Sequence, residues 1–221
     1  MRKPVGRSRQ AKPEVEGDTE QRILEAARRV FIRGGTAGAR MQEIAAEAGV
    51  NQALLHYYFR SKERLSAAVF GQVASRLFPS LIQILGADAP LEAKINRIIE
   101  AYLDTFSRHP FLPGYLLSEM HHHPERVAQM LATATGGDPR TDIARVFETV
   151  SRQIKKEVKA KRMRPIAAEQ FVVNLISLCI FPFAARPMLG FMLGMDAAAF
   201  ARFIDERKRQ LPNFFHSALQ P

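Results

Sequence analysis

The chain has 221 residues, 47% of them hydrophobic, enough to bury one large core or a small domain beside a larger one. Its formal net charge of +10 favours polyanionic partners, nucleic acid or an anionic membrane surface. The single cysteine, Cys179, excludes an internal disulfide and a cysteine-only zinc site, and its apolar surroundings read as those of a small buried hydrophobe.

The charge is uneven. Residues 1–65 hold 13 basic and 8 acidic side chains, against 19 and 14 in residues 66–221, a net +5 in each, so net positive charge is more than twice as dense in the first segment. Residues 1–17 carry Arg2, Lys3, Arg7, Arg9 and Lys12 among prolines and glycines, without apolar periodicity, and read as a flexible basic arm. The opening residues are polar, unlike a secretory leader. The longest uncharged apolar stretch, Phe171 to Ala185, is shorter than the roughly 18 residues of a membrane span. The expectation is a cytoplasmic protein with no membrane partner.

From Asp18 the pattern turns helical. Ile23, Ala26, Ala27, Val30 and Phe31 form one stripe, Asp18 with Gln21 resembles a capping box, and Gly34-Gly35 supplies a stop. A short second helix carries Met41, Ile44, Ala45 and Ala48 on one face and ends at Gly49. Asn51 can cap a third helix from Gln52 to about Phe59, and Ser61 a fourth from Lys62 to about Leu85.

Every later segment also reads as helix. Leu91, Ile95, Ile98, Ile99, Tyr102 and Phe106 make a stripe broken at Pro110 and Pro113; short helices follow to His121 and from Pro124 to Gly136-Gly137. Ile143, Val146, Phe147, Val150, Ile154 and Val158 define a long amphipathic helix ended by Pro165. Ala167–Ala185, Arg186–Gly194 and Asp196–Ala218 complete the chain. The fold class is therefore all-α, with no competing strand pattern: an arm over 1–17, a helix-turn-helix domain over 18–65, and a larger helical domain over 66–221.

The functional signal lies at Ala45, Gly49 and Leu55. A helix-turn-helix needs a small residue where two helices cross, a turn residue that accepts positive φ, and an apolar anchor in the second helix; these three fit in type and spacing. Alone the match is weak. Here it sits between an amphipathic helix and the basic-aromatic segment NQALLHYYFRSK.

The stretch GVNQALLHYYFRSKERL resembles the signature of the TetR regulator family, and TEQRILEAARRVFIRGGTAGARMQEIAAEAGV resembles the helices preceding it. The close resemblance covers about residues 19–70; beyond it, length and helical character agree. It implies a DNA-reading face of Arg40, Gln42, Asn51, Gln52, Ala53, Leu54, His56, Tyr57, Tyr58 and Lys62. Gln52 opens the recognition helix, where glutamine can pair with adenine, and Ala53 and Leu54 suit thymine methyls. His56, Tyr57 and Tyr58 would meet the sugar-phosphate backbone, and Arg40 and Lys62 would hold phosphates. Two departures stand out: Ala39 replaces the usual capping Ser or Thr, and Gln42 a frequent arginine.

The resemblance also implies a homodimer built on the helices Ala167–Ala185 and Asp196–Ala218, with Leu178, Phe200, Phe203, Ile204, Leu211 and Phe214 at the interface. It places a pocket for an unidentified small-molecule effector among the middle helices, with Leu103, Phe106, Phe111, Tyr115, Met120, His121, Phe147, Phe171 and Leu175 as candidates. Met188, Met192 and Met195 read as interface or core filler. His121-His122-His123 cannot all face one ion from a regular helix, so no metal is assigned, and no cofactor is expected. The basic run from Lys155 to Arg164 reads as a solvated helix end.

The expected function is a repressor that leaves a palindromic, double-stranded operator when the effector binds. The alternatives are control by a protein partner, action as an activator, or non-specific DNA compaction. No nucleophile, base and acid arrangement suggests an enzyme.

Overall fold

The computed structural model describes residues 13–122, 124–136 and 138–221, and among them it shows eleven helices and no strand. The basic side chains expected in the arm, Arg2 to Lys12, lie outside the described residues, as does His123.

Contacts divide the chain into two compact units, with the division between Val69 and Phe70, inside the fourth helix. In the first unit, α1 (Pro13–Gly38) begins five residues before the expected Asp18. The stop at Gly35 is real: its φ of 68° and ψ of 171° break the helix, and a last turn resumes to Gly38. Only glycine holds that conformation at little cost. α2 (Met41–Ala48) and α3 (Gln52–Tyr58) follow, and α2 packs on both α1 and α3. The unit's core is Ile23, Ala27, Val30, Phe31, Ile44, Ala45 and Leu55, the residues of the two apolar stripes and the anchor. Burial of the larger ones, Ile23, Val30, Phe31, Ile44 and Leu55, is worth about 1.5–3 kcal/mol each before entropy is subtracted.

α4 (Lys62–Gly86) starts where expected, its first turn met by Ser61 Oγ, 3.3 Å from the Arg64 amide. By length and composition α4 is long and apolar enough to cross a membrane. Its apolar stripe, Leu65, Val69, Phe70, Ala74, Leu77, Leu81 and Leu85, is instead buried within the protein.

The second unit contains α5 (Leu91–Arg108), α6 (Leu112–His122), α7 (Pro124–Thr135), α8 (Pro139–Lys159), α9 (Ala168–Ala184), α10 (Arg186–Leu193) and α11 (Ala197–Leu219). α5 is central, packing on α8, α9 and α11, while α6 and α8 pack on α9. Asp138 caps α8 through the Arg140 amide at 3.1 Å, and Asp196 caps α11 through the Ala199 amide at 2.7 Å. α10 is bent 67° away from α9.

Candidate DNA interface and sensing unit

The paired helices α2 and α3 are joined by a turn that the local sequence dictates. Gly49 adopts φ 66° and ψ 34°, which allows the Val50 amide to donate to the Ala45 carbonyl at 3.0 Å. The Asn51 carboxamide oxygen accepts from the Leu54 amide at 2.7 Å and starts α3. Leu55 is fully buried and Phe59 nearly so, which fixes the inner face of α3. The outer face follows from the 3.6-residue period: Gln52, Ala53, Leu54, His56 and Tyr57 are all exposed, Tyr57 by 71%. Tyr58 is half-buried and meets the Tyr57 ring edge-on, with centroids 5.4 Å apart.

Two expected DNA contacts also have structural duties. The Asn51 oxygen is committed to the cap, so its amide donors are what it can offer a base or phosphate. The Lys62 ammonium donates to the carbonyls of Ala37 and Ala39 at 3.1 and 3.2 Å, pinning the segment that leads into α2. An ammonium has three protons, so one remains for a phosphate. Arg40 caps α2 in an extended conformation without a side-chain cap bond, and Arg40 and Gln42 are both exposed. Ala39 is buried, consistent with an apolar side chain there.

The sequence reading missed the clamp behind this face. Arg29 and Arg33 of α1 bind Glu47 of α2 at 2.7 and 2.8 Å, and Arg22 donates to the Ala48 carbonyl at 3.0 Å. The hydrogen bonds from Arg29 and Arg33 hold the Glu47 carboxyl below its ordinary range. Residues 14 to 18 positions apart carry no periodic signal, so only the folded chain reveals this pairing.

The candidate effector residues separate into three groups. Leu103, Phe106, Phe171 and Leu175 are fully buried core. Phe106 meets Phe183, and Phe171 meets Phe215, with centroids 5.5 and 5.4 Å apart. Phe111, Tyr115 and Phe147 are partly buried against that core, and Tyr115 stacks on Phe70 at 3.4 Å. Met120 and His121, the other two candidates, lie on the exposed side of α6. The His122 Nδ1 sits 2.9 Å from the Ser118 carbonyl, and the His121 and His122 rings meet edge-on.

The residues expected at the dimer face differ in exposure within one chain. Phe200, Ile204 and Leu211 are buried within their own chain, because α11 turns that face to α5. Leu178 and Phe203 are half-buried, and Phe214 is 62% exposed. Large apolar groups that do face outward include Val173 and Phe181 of α9, and Met188, Phe191, Met192 and Leu193 of α10. A groove of about 270 Å³ between α9 and α11 is lined by Asn174, Ser177, Leu178, Phe214 and Ala218, among others. Met195 instead packs against the core. Cys179 is fully buried, and burial pushes its thiol up to about 12.

Residues 23–69 match the model of the bacterial regulatory proteins, tetR family. The chain is similar to the HTH-type transcriptional activator FasR of Mycolicibacterium smegmatis, 29% identical over 177 residues that cover 80% of this chain and 78% of that protein. It is similar to the HTH-type transcriptional repressor NicS of Pseudomonas putida, 27% identical over 184 residues, 81% and 82% of the two chains. A TetR transcription regulator structure from Haloarcula marismortui superposes with a TM-score of 0.55 at 21% identity, covering 93% of this chain and all of that one. The fold is likewise shared with a TetR/AcrR-family regulator from Thermobifida fusca, at a TM-score of 0.55 and 16% identity, covering 89% and 97% of the two chains.

Proposed function

The chain belongs to the TetR family of bacterial regulatory proteins and is a DNA-binding transcriptional regulator, and from that premise we propose that it represses from a palindromic operator and is released by a small molecule. The observation carrying this reading is the exposed rim Gln52-Ala53-Leu54 on a short helix anchored by the buried Leu55. The N-terminal residues of a recognition helix meet base edges in the major groove. Gln52 is the base-reading side chain, Ala53 and Leu54 provide apolar contact with thymine, and Tyr57, His56, Arg40 and Lys62 position the unit on phosphates. Such a reader acts where operator DNA is, in the cytoplasm.

The reading head spans only one half-site, so two copies are needed, with recognition helices about 34–36 Å apart. The outward apolar groups Val173, Phe181 and Phe214 support a dimer through α9 and α11. Exposed apolar area of this kind is rare on proteins that remain monomeric. The effector acts by population shift: it must bind the DNA-incompetent arrangement more tightly to lower operator affinity. The aromatic interior around Phe106, Phe111, Tyr115 and Phe147 is the sensing region this proposal favours. A second reading, activation, is supported by the activator among the relatives.

The test is operator selection from random duplexes followed by titration. Gln52→Ala is expected to narrow the gap between selected and random DNA by about 1–3 kcal/mol, while Lys62→Gln weakens both equally. Unchanged discrimination in Gln52→Ala would overturn the sequence-specific reading in favour of non-specific compaction.

A further inference from the structure

The second unit carries a charged corner where α5 meets α8. Lys94 lies on the apolar stripe of α5 and is 1% exposed. Its ammonium donates to the Leu85 carbonyl at 2.5 Å and to the Gln153 Oε1 at 2.8 Å, both uncharged acceptors. Gln153 in turn donates to the Ala89 carbonyl at 2.8 Å. Burial pulls the Lys94 ammonium below its ordinary value; the Asp88 charge opposes that, and the Arg152 charge reinforces it. A buried cation bonded only to neutral groups is costly, and the cost falls when a counter-charge is supplied.

A cavity of about 700 Å³ opens beside this lysine, lined by residues 86–91 and by Thr149, Arg152, Gln153, Lys156 and Glu157 of α8. Arg152 and Lys156 are exposed and one helical turn apart, so they face the same side. Of the two acids, Glu157 is already held by Arg162 through bonds of 2.7 and 2.9 Å. Counting Lys94 and Arg162 with the lining groups, cations exceed acids by two.

We propose that this corner binds a small oxyanion, a carboxylate or phosphate group on a metabolite-sized molecule, held by Arg152 and Lys156 with Lys94 behind Gln153. Charge-assisted bonds to guanidinium and ammonium supply the affinity, and the fork of Arg152 suits a two-oxygen partner. The size and polarity of the cavity exclude neither source of the group, so both are probed.

Calorimetric titration with citrate and with inorganic phosphate, at matched ionic strength, tests the site on the full chain. Arg152→Gln with Lys156→Gln is expected to weaken binding about tenfold or more. Gln153→Glu, which places a carboxylate against Lys94, is expected to weaken it as much. Lys155→Gln with Lys159→Gln removes the same charge from exposed positions of α8 outside the cavity lining and is expected to leave the affinity within about twofold. Tighter citrate binding assigns the carboxylate, and tighter phosphate binding the phosphate. Equal losses in the two double variants, or no saturable binding of either anion, overturn the proposal.

Discussion

At the scale of single residues, environment separates side chains of the same type. Cys179 is a thiol sealed among Tyr102, the α9 core and the Arg207 side chain, which itself donates to the Leu178 carbonyl. Reactivity needs the thiolate, and burial moves its formation from the ordinary 9.0 to about 12. The native chain is therefore expected not to react with a thiol reagent at pH 8 and to release one equivalent after unfolding. Rapid native labelling would contradict the burial. Because the folded pKa is raised, the thiol's stabilising contribution is complete below pH 9.0 and is lost as pH rises through about 12. Asn51 shows the opposite case, an exposed polar residue with a defined duty. Asn51→Ala removes the acceptor for the Leu54 amide and is expected to cost about 1 kcal/mol, whereas Asn51→Ser or Asn51→Asp largely retains it, as thermal unfolding would register.

At the scale of elements, the caps and stops were readable because they act within a few residues. Gly35, Gly49, Asn51 and Ser61 each sit where the sequence predicts a helix boundary. Gly49 is the sharpest test. A Cβ there would meet nothing closer than the Arg22 Nη2 at 3.9 Å, so Gly49→Ala is strained by its φ of 66° alone. The expected cost is about 1–2 kcal/mol, with α3 and its rim displaced and operator affinity reduced. An undisturbed unfolding midpoint would show that the turn tolerates other geometries. What periodicity could not resolve was which of two apolar faces turns inward. In α11, Phe200, Ile204, Leu211 and Phe215 are buried, while Phe203 is half-buried and Phe214 exposed; the sequence reading assigned members of both sets to the partner. Spacing fixes which residues share a face, but the neighbours that cover it come from other elements: α5, and Phe171 and Phe183 of α9, which meet Phe215 and Phe200. Lys94, a charge at a core position of the α5 stripe, drew no notice in the sequence, because the groups that hold it come from other elements. Its partner Gln153 lies 59 residues away.

At the scale of the whole molecule, the same distinction decides how copies would associate. Truncating Phe200 or Ile204 to alanine is expected to destabilise the second unit by about 2–5 kcal/mol, which would confound any reading of dimerisation, since both pack inside one chain. Phe214 and Phe191 are 62% and 92% exposed, so Phe214→Asp and Phe191→Asp should leave the monomer's helices intact. If the outward faces of α9, α10 and α11 meet a second copy, each change buries a charge against apolar surface at two symmetry-related places, because a two-fold interface uses every patch twice. Sedimentation is then expected to show dimers giving way to monomers at concentrations where the unaltered chain stays paired. Operator affinity would fall steeply, since one reading head makes only half of the contacts, and would recover as protein concentration rises. Loss of helical signal in either variant would mean that the residue supports its own fold. Intact dimers in both would place the partner surface elsewhere, and the exposed apolar groups of α10 would then need another occupant.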